Sequence, residues 1–82
     1  MDITCLIKKL DAIGVPKRYY VINGSLLTDT YVLNQVYGKW EYFYFDERGN
    51  KNDYQTFNSE NDACMHMFGV LENELKYNNM IR

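Results

Sequence analysis

The chain has 82 residues, 46% hydrophobic and 24% charged, with one proline and five glycines. That length bounds it to one domain, residues 1–82, and leaves little volume for an internal catalytic cavity. Its hydrophobic fraction excludes a disordered chain. Nine basic against eleven acidic residues give a net charge of −2, a poor match for nucleic acid, which needs Lys and Arg in surplus on one face.

In chain order, Ile3, Leu6, Ile7, Leu10 and Ile13 draw one apolar helical stripe. Asp2 caps its start, Gly14 suits the position past its end, and Pro16 stops it. A short strand is expected over Tyr19–Ile22, closed by Asn23-Gly24-Ser25. Leu26–Thr30 reads as an irregular connection. The clearest feature follows: Tyr31–Tyr37 and Trp40–Asp46, rich in Val, Tyr, Phe and Trp, separated by Gly38-Lys39. Glycine first in a two-residue loop predicts a type II′ hairpin.

That loop pairs Tyr37 with Trp40, Gln35 with Tyr42 and Leu33 with Tyr44 on one face. On the other, Val36 meets Glu41, Asn34 meets Phe43 and Val32 meets Phe45. Residues two apart share a face, so one face carries Tyr31, Leu33, Tyr37, Trp40, Tyr42 and Tyr44. The other carries Val32, Val36, Phe43 and Phe45, and the expected core lies under it. The Tyr/Trp face is expected to stay partly open. Glu47-Arg48-Gly49-Asn50 reads as a second turn and Lys51–Phe57 as a polar fourth strand near an edge. Ser59-Glu60-Asn61-Asp62 resembles a capping box opening a last helix. That helix has Ala63, Cys64, Met67, Phe68, Leu71 and Leu75 as its stripe, and the tail from Tyr77 through Asn78-Asn79 is expected to fray. The predicted fold is α+β, a single domain of helix, four-stranded antiparallel sheet and helix, both helices packed on one sheet face.

Catalytic chemistry finds no foothold in this pattern. The single histidine, His66, stands two residues from Cys64, and such positions do not face each other on a helix. One histidine with the distant Cys5 and Cys64 makes no zinc set, so no metal is expected and both thiols read as reduced. Asp46-Glu47 and Glu72/Glu74 read as solvated carboxylates, and no glycine spacing fits a phosphate loop. The expectation is a non-enzyme without cofactor, metal or membrane span. With no signal peptide in view, it is expected in the cytoplasm. Two readings of the Tyr/Trp face stay open: cross-strand packing, or a protein-binding face ringed by carboxylates.

The run Gly38-Lys39-Trp40-Glu41-Tyr42-Phe43-Tyr44-Phe45-Asp46-Glu47-Arg48-Gly49, continued by Phe57-Asn58-Ser59-Glu60-Asn61-Asp62-Ala63-Cys64, resembles small bacterial immunity proteins of contact-dependent-inhibition, Rhs and Maf polymorphic toxin systems. There a Gly-x-Trp strand leads to a Glu-Arg-Gly turn and a Phe-x-Ser-Glu segment opening the final helix. Gly14-Val15-Pro16 and Tyr19-Tyr20 also look like that family's beginning. The resemblance covers most of the chain, but its motifs are turn, cap and core features. It implies a cytoplasmic protein that binds one cognate toxin domain, often a basic nuclease, and covers its active site or substrate surface. From the face reading alone, Trp40, Tyr42 and Tyr44 are expected as anchors, with Glu41, Asp46, Glu47 and Asp53 as charge partners. Without its partner the chain is expected to be a monomer or weak dimer. The alternative is a homo-oligomeric adaptor with no toxin partner.

Overall fold

The computed structural model describes residues 1–77, so the fraying expected beyond Tyr77 lies outside the described residues. Helix α1 (Ile3–Ala12) is capped as expected. Asp2 Oδ1 accepts the Cys5 N–H at 2.8 Å. Past its end Gly14 takes a left-handed φ of 91°, which lets the Val15 N–H reach the Leu10 carbonyl at 2.9 Å. Helix α2 (Glu60–Tyr77) opens on Ser59, whose Oγ accepts the Asp62 N–H at 3.1 Å. The neighbouring Glu60 carboxylate accepts the Ile3 N–H at 2.8 Å, tying the start of one helix to the start of the other.

Between the helices lie β1 (Tyr20–Ile22), β2 (Thr30–Val36), β3 (Lys39–Phe45) and β4 (Lys51–Phe57), in the spatial order β1-β2-β3-β4. The sheet is mixed. β2, β3 and β4 run antiparallel, as expected, but β1 runs parallel to β2. Asn23 explains this. At φ 53° it turns the chain, while its N–H donates to the Leu33 carbonyl and its Oδ1 accepts the Gln35 N–H at 2.7 Å. Because β1 rises only about 10 Å, residues 24–29 bring the chain back to the start of β2 without a crossover helix. As expected, β4 is an exposed sheet edge.

The hairpin turn differs from the expected one. Its loop is Tyr37-Gly38, with φ of 51° and 79°, and two consecutive left-handed residues make a type I′ turn. The pairs are therefore Gln35 with Trp40, Leu33 with Tyr42, Val32 with Phe43 and Tyr31 with Tyr44. This is a slip of two residues. A slip of one would have exchanged the faces, so the predicted division of side chains between the faces survives.

What reverses is which face is covered. Both helices pack on the Tyr/Trp face, where Leu33, Trp40 and Tyr42 join Leu6, Leu10, Val15, Tyr20, Ala63, Cys64, Met67 and Leu71 in one buried core. Both faces are apolar, so residue class alone does not choose between them. The opposite face, on which no described helix packs, also buries Val32 and Phe43. Phe45 lies edge-on to Phe43, Tyr54 stacks on it with centroids 6.1 Å apart, and Lys51 Nζ sits 4.8 Å from the ring centroid.

Candidate functional site

Two features stand apart from the packing that the fold requires. One is a cleft of about 380 Å³ where the helix-covered face runs out from under α2. Tyr31, Tyr42, Tyr44, Asp53, Tyr54 and Gln55 line it from the sheet, and His66, Val70 and Glu74 from α2. The sheet supplies tyrosines because alternate residues of β2 and β3 point to this side. The helix supplies His66, Val70 and Glu74 because residues four apart stack along one stripe, here beside the buried stripe of Ala63, Met67 and Leu71. Asp53 enters through a β-bulge: opposite Phe43, β4 carries both Asp53 and Tyr54, and Asp53 adopts φ 56°. Bulges re-aim side chains in this way, and Asp is among the few residues that accept this conformation.

The cleft is a place of phenols and carboxylates. The Tyr31 and Tyr44 rings lie 4.8 Å apart. The Tyr31 hydroxyl donates to Glu74, and burial followed by that carboxylate's charge pushes its pKa up. Burial and then the charges of Asp53 and Glu74 push Tyr42 up to about 12. Tyr44 is raised by burial and by Asp29, to which its hydroxyl donates. All three phenols are therefore neutral donors at pH 7. The His66 ring meets Tyr42 edge-on at 4.6 Å and leans on Phe57 at 5.1 Å. Burial lowers its pKa, and its Nε2 is buried without a hydrogen-bond partner. Asp53 and Glu74 are the acidic side chains of the lining, and no Lys or Arg stands with them among the described residues.

The other feature is the hairpin tip. Tyr37 is 102% exposed while holding a left-handed φ of 51°. Asn, Asp or Gly is the usual occupant of that position, and a bulky residue there is strained by roughly 1–2 kcal/mol. Nearby, Val36, Lys39, Trp40, Glu41, Tyr54 and Thr56 line a hollow of about 150 Å³. The half-exposed Tyr54 donates to Glu41 at 2.8 Å across it.

Of the residues expected to bind a partner, the structure gathers Tyr42, Tyr44 and Asp53 at the cleft. Trp40, at 5% exposure, is a core residue under the helices and does not reach the cleft. Tyr42 is likewise 2% exposed and touches the cleft only from its floor. Glu41 lies on the opposite face, held by Tyr54. Asp46 organises the β3–β4 turn. Its Oδ1 accepts the Arg48 and Asn50 N–H groups at 2.9 and 2.8 Å, and its Oδ2 accepts from Asn52 Nδ2 at 3.0 Å. These bonds, Asn52 first, hold its carboxyl below the usual range. Glu47 is exposed at the same turn. Sequence reasoning missed Tyr31, His66 and Glu74 as site residues. The spacing of His66 and Glu74 was the available signal, two polar residues in line with Val70 beside the buried stripe.

The two cysteines are free thiols. Cys64 is buried, and burial followed by the charge of Glu60 pushes its pKa up to about 11, so it carries no reactive thiolate at pH 7. No helix among the described residues is long and apolar enough to cross a membrane. No protein-family model matches the chain, and no curated protein or solved structure matches it at a significant level.

Proposed function

We propose that this chain binds another protein, and that the partner is a toxin domain which it neutralises, as an immunity protein of a polymorphic toxin system would. The observation that carries the binding reading is Tyr37. A fully exposed aromatic in a strained turn makes no contact that repays its conformation, whereas Asn or Gly would relax the turn. Such a residue is useful where it meets something outside the chain, and tyrosine is among the usual anchors of protein interfaces. The Gly-x-Trp strand, Glu-Arg-Gly turn and Phe-x-Ser-Glu helix start support the immunity reading by resemblance. The acidic cleft favours a basic partner, as a nuclease that grips phosphates would be.

The test is co-expression with the protein encoded beside this chain, scoring growth and co-purification. The proposal expects the neighbour to be toxic alone and harmless together, with a stable stoichiometric complex. A neighbour that is harmless by itself and does not bind contradicts the immunity reading. A stable dimer of this chain alone, which blocks any other partner, would favour the adaptor reading instead.

A further inference from the structure

We propose that Cys5 and Cys64 form a redox clasp, an intramolecular disulfide that closes across the seam between α1 and α2 when the chain meets a low-molecular-weight disulfide. The structure holds the open form, with both cysteines as free thiols. The clasp is a property of the chain by itself and needs no partner.

Three contacts fix the register of the two helices. At their starts the Ile3 N–H donates to the Glu60 carboxylate, and the N-terminal ammonium of Met1 donates to Asn61 Oδ1. Further along, Lys9 Nζ lies 5.8 Å from the centroid of the Phe68 ring. Both helices therefore ascend in the same sense from a common end. Residues four apart stand one above the other on a helix. Cys5 is one turn before Lys9, and Cys64 is one turn before Phe68, so the two cysteines take facing positions between the contacts. Electrostatics reports the same neighbourhood. Besides Glu60, the charges that act on the Cys64 thiol are those of the N-terminus, Asp2 and Cys5, all from the start of the chain.

The seam is lined by small residues there. Ala63 and Cys64 are the smallest of the buried side chains on α2, and both are fully buried. The spacing of packed helices follows the side chains between them. A disulfide needs Cα atoms roughly 4.4–6.8 Å apart, a separation that facing positions across such a seam reach. Other roles for the pair meet obstacles. No group of three or more His, Cys, Asp or Glu that could hold a metal ion forms among the described residues. A catalytic thiol needs an accessible thiolate, and the Cys64 pKa is pushed up to about 11. Packing accounts for Cys64 as a small apolar residue, but gives the half-buried Cys5 opposite it no reason to be a thiol.

Exposure sets the order of steps. The Cys5 thiolate, the one that solvent reaches, attacks one sulfur of the small disulfide, forms a mixed disulfide and expels one small thiol. The Cys64 thiolate then attacks Cys5 Sγ and expels the second. One S–S bond is broken and one is formed in net. The small disulfide takes up two electrons, and the two cysteine protons leave with the released thiols. Burial keeps the Cys64 thiolate scarce, so the second step sets the pace.

The experiment treats the whole, folded, reduced chain with oxidised glutathione at about pH 8, where thiolates are more plentiful. Intact mass, a peptide map without reduction and urea unfolding are the readouts. The expected product is a monomer lighter by two hydrogens, with the peptides of Cys5 and Cys64 joined. Its unfolding constant should be at least about tenfold smaller than that of the reduced chain, because the bridge closes a long loop. Dithiothreitol should restore the starting material. Cys64→Ala, which keeps a small apolar group in the core, should stop at a glutathione adduct on Cys5, and Cys5→Ser should stay unmodified while folded. A parent chain that does not react, one that stops at the Cys5 adduct, linkage only between chains, linkage only in urea, or a bridge that lowers stability would each overturn the proposal.

Discussion

The two faces of the central hairpin are both aromatic and both buried at their centres, yet they are buried by different means. On one, Trp40 and Tyr42 lie under α1 and α2 in a continuous core. On the other, Phe43 and Val32 are fully buried, with Phe45, Tyr54 and Lys51 around the Phe43 ring. A covered face is packed at its centre and open only where the cover ends. Tyr31 and Tyr44 sit at that boundary and open onto the cleft. Aromatic residue type therefore does not tell a packed centre from an open edge, whereas position relative to the covering helix does.

The sharpest way to break this comparison is truncation at each centre. Trp40→Ala should cost about 3–5 kcal/mol in urea unfolding, from lost transfer energy and an unfilled cavity between rigid layers. Phe43→Ala should cost less, about 2–3 kcal/mol, because Tyr54 and Lys51 can settle into the space. A reversed order would make the helix-free face the main core. A loss below about 1 kcal/mol at Trp40 would return that residue to the surface.

Tyr54→Phe removes only the bond to Glu41 and keeps the stacking on Phe43, so about 0.5–1 kcal/mol is expected in the same assay. The smallest effect is the pH response of His66. Its native pKa lies below the ordinary value of 6.5, so in that window the unfolded chain binds the proton more readily. Stability should fall as pH drops from 6.5 through the native pKa, and His66→Gln should flatten that slope. An unchanged slope would mean that another group carries it.

Local signals reached far into the fold. Asp2, Gly14 and Ser59 mark helix ends by bonds to neighbours a few residues away, and the structure makes those bonds. The division of β2 and β3 side chains between the faces was legible because a two-residue slip preserves it. The slip itself was not legible. Turn chemistry places glycine or asparagine where this chain has Tyr37, and a residue spending stability there breaks the rule on which the register rested. The parallel direction of β1 depends on Asn23 meeting Leu33 and Gln35, contacts that no local pattern encodes. At the site, Tyr42, Tyr44 and Asp53 could be named from sequence, although the bulge that brings Asp53 there could not. Glu74 read as a solvated helix charge until β2 placed Tyr31 against it.

Whether the hairpin tip is shaped for a partner rather than for the fold is tested by Tyr37→Asn, measured for both stability and binding. The substitution should raise stability by about 1 kcal/mol, since Asn accepts the left-handed turn and no contact is lost. It should also weaken capture of the co-expressed partner by at least about tenfold, the scale of an aromatic contact residue at an interface. A variant that is less stable, or one that binds as tightly as the parent, would contradict it.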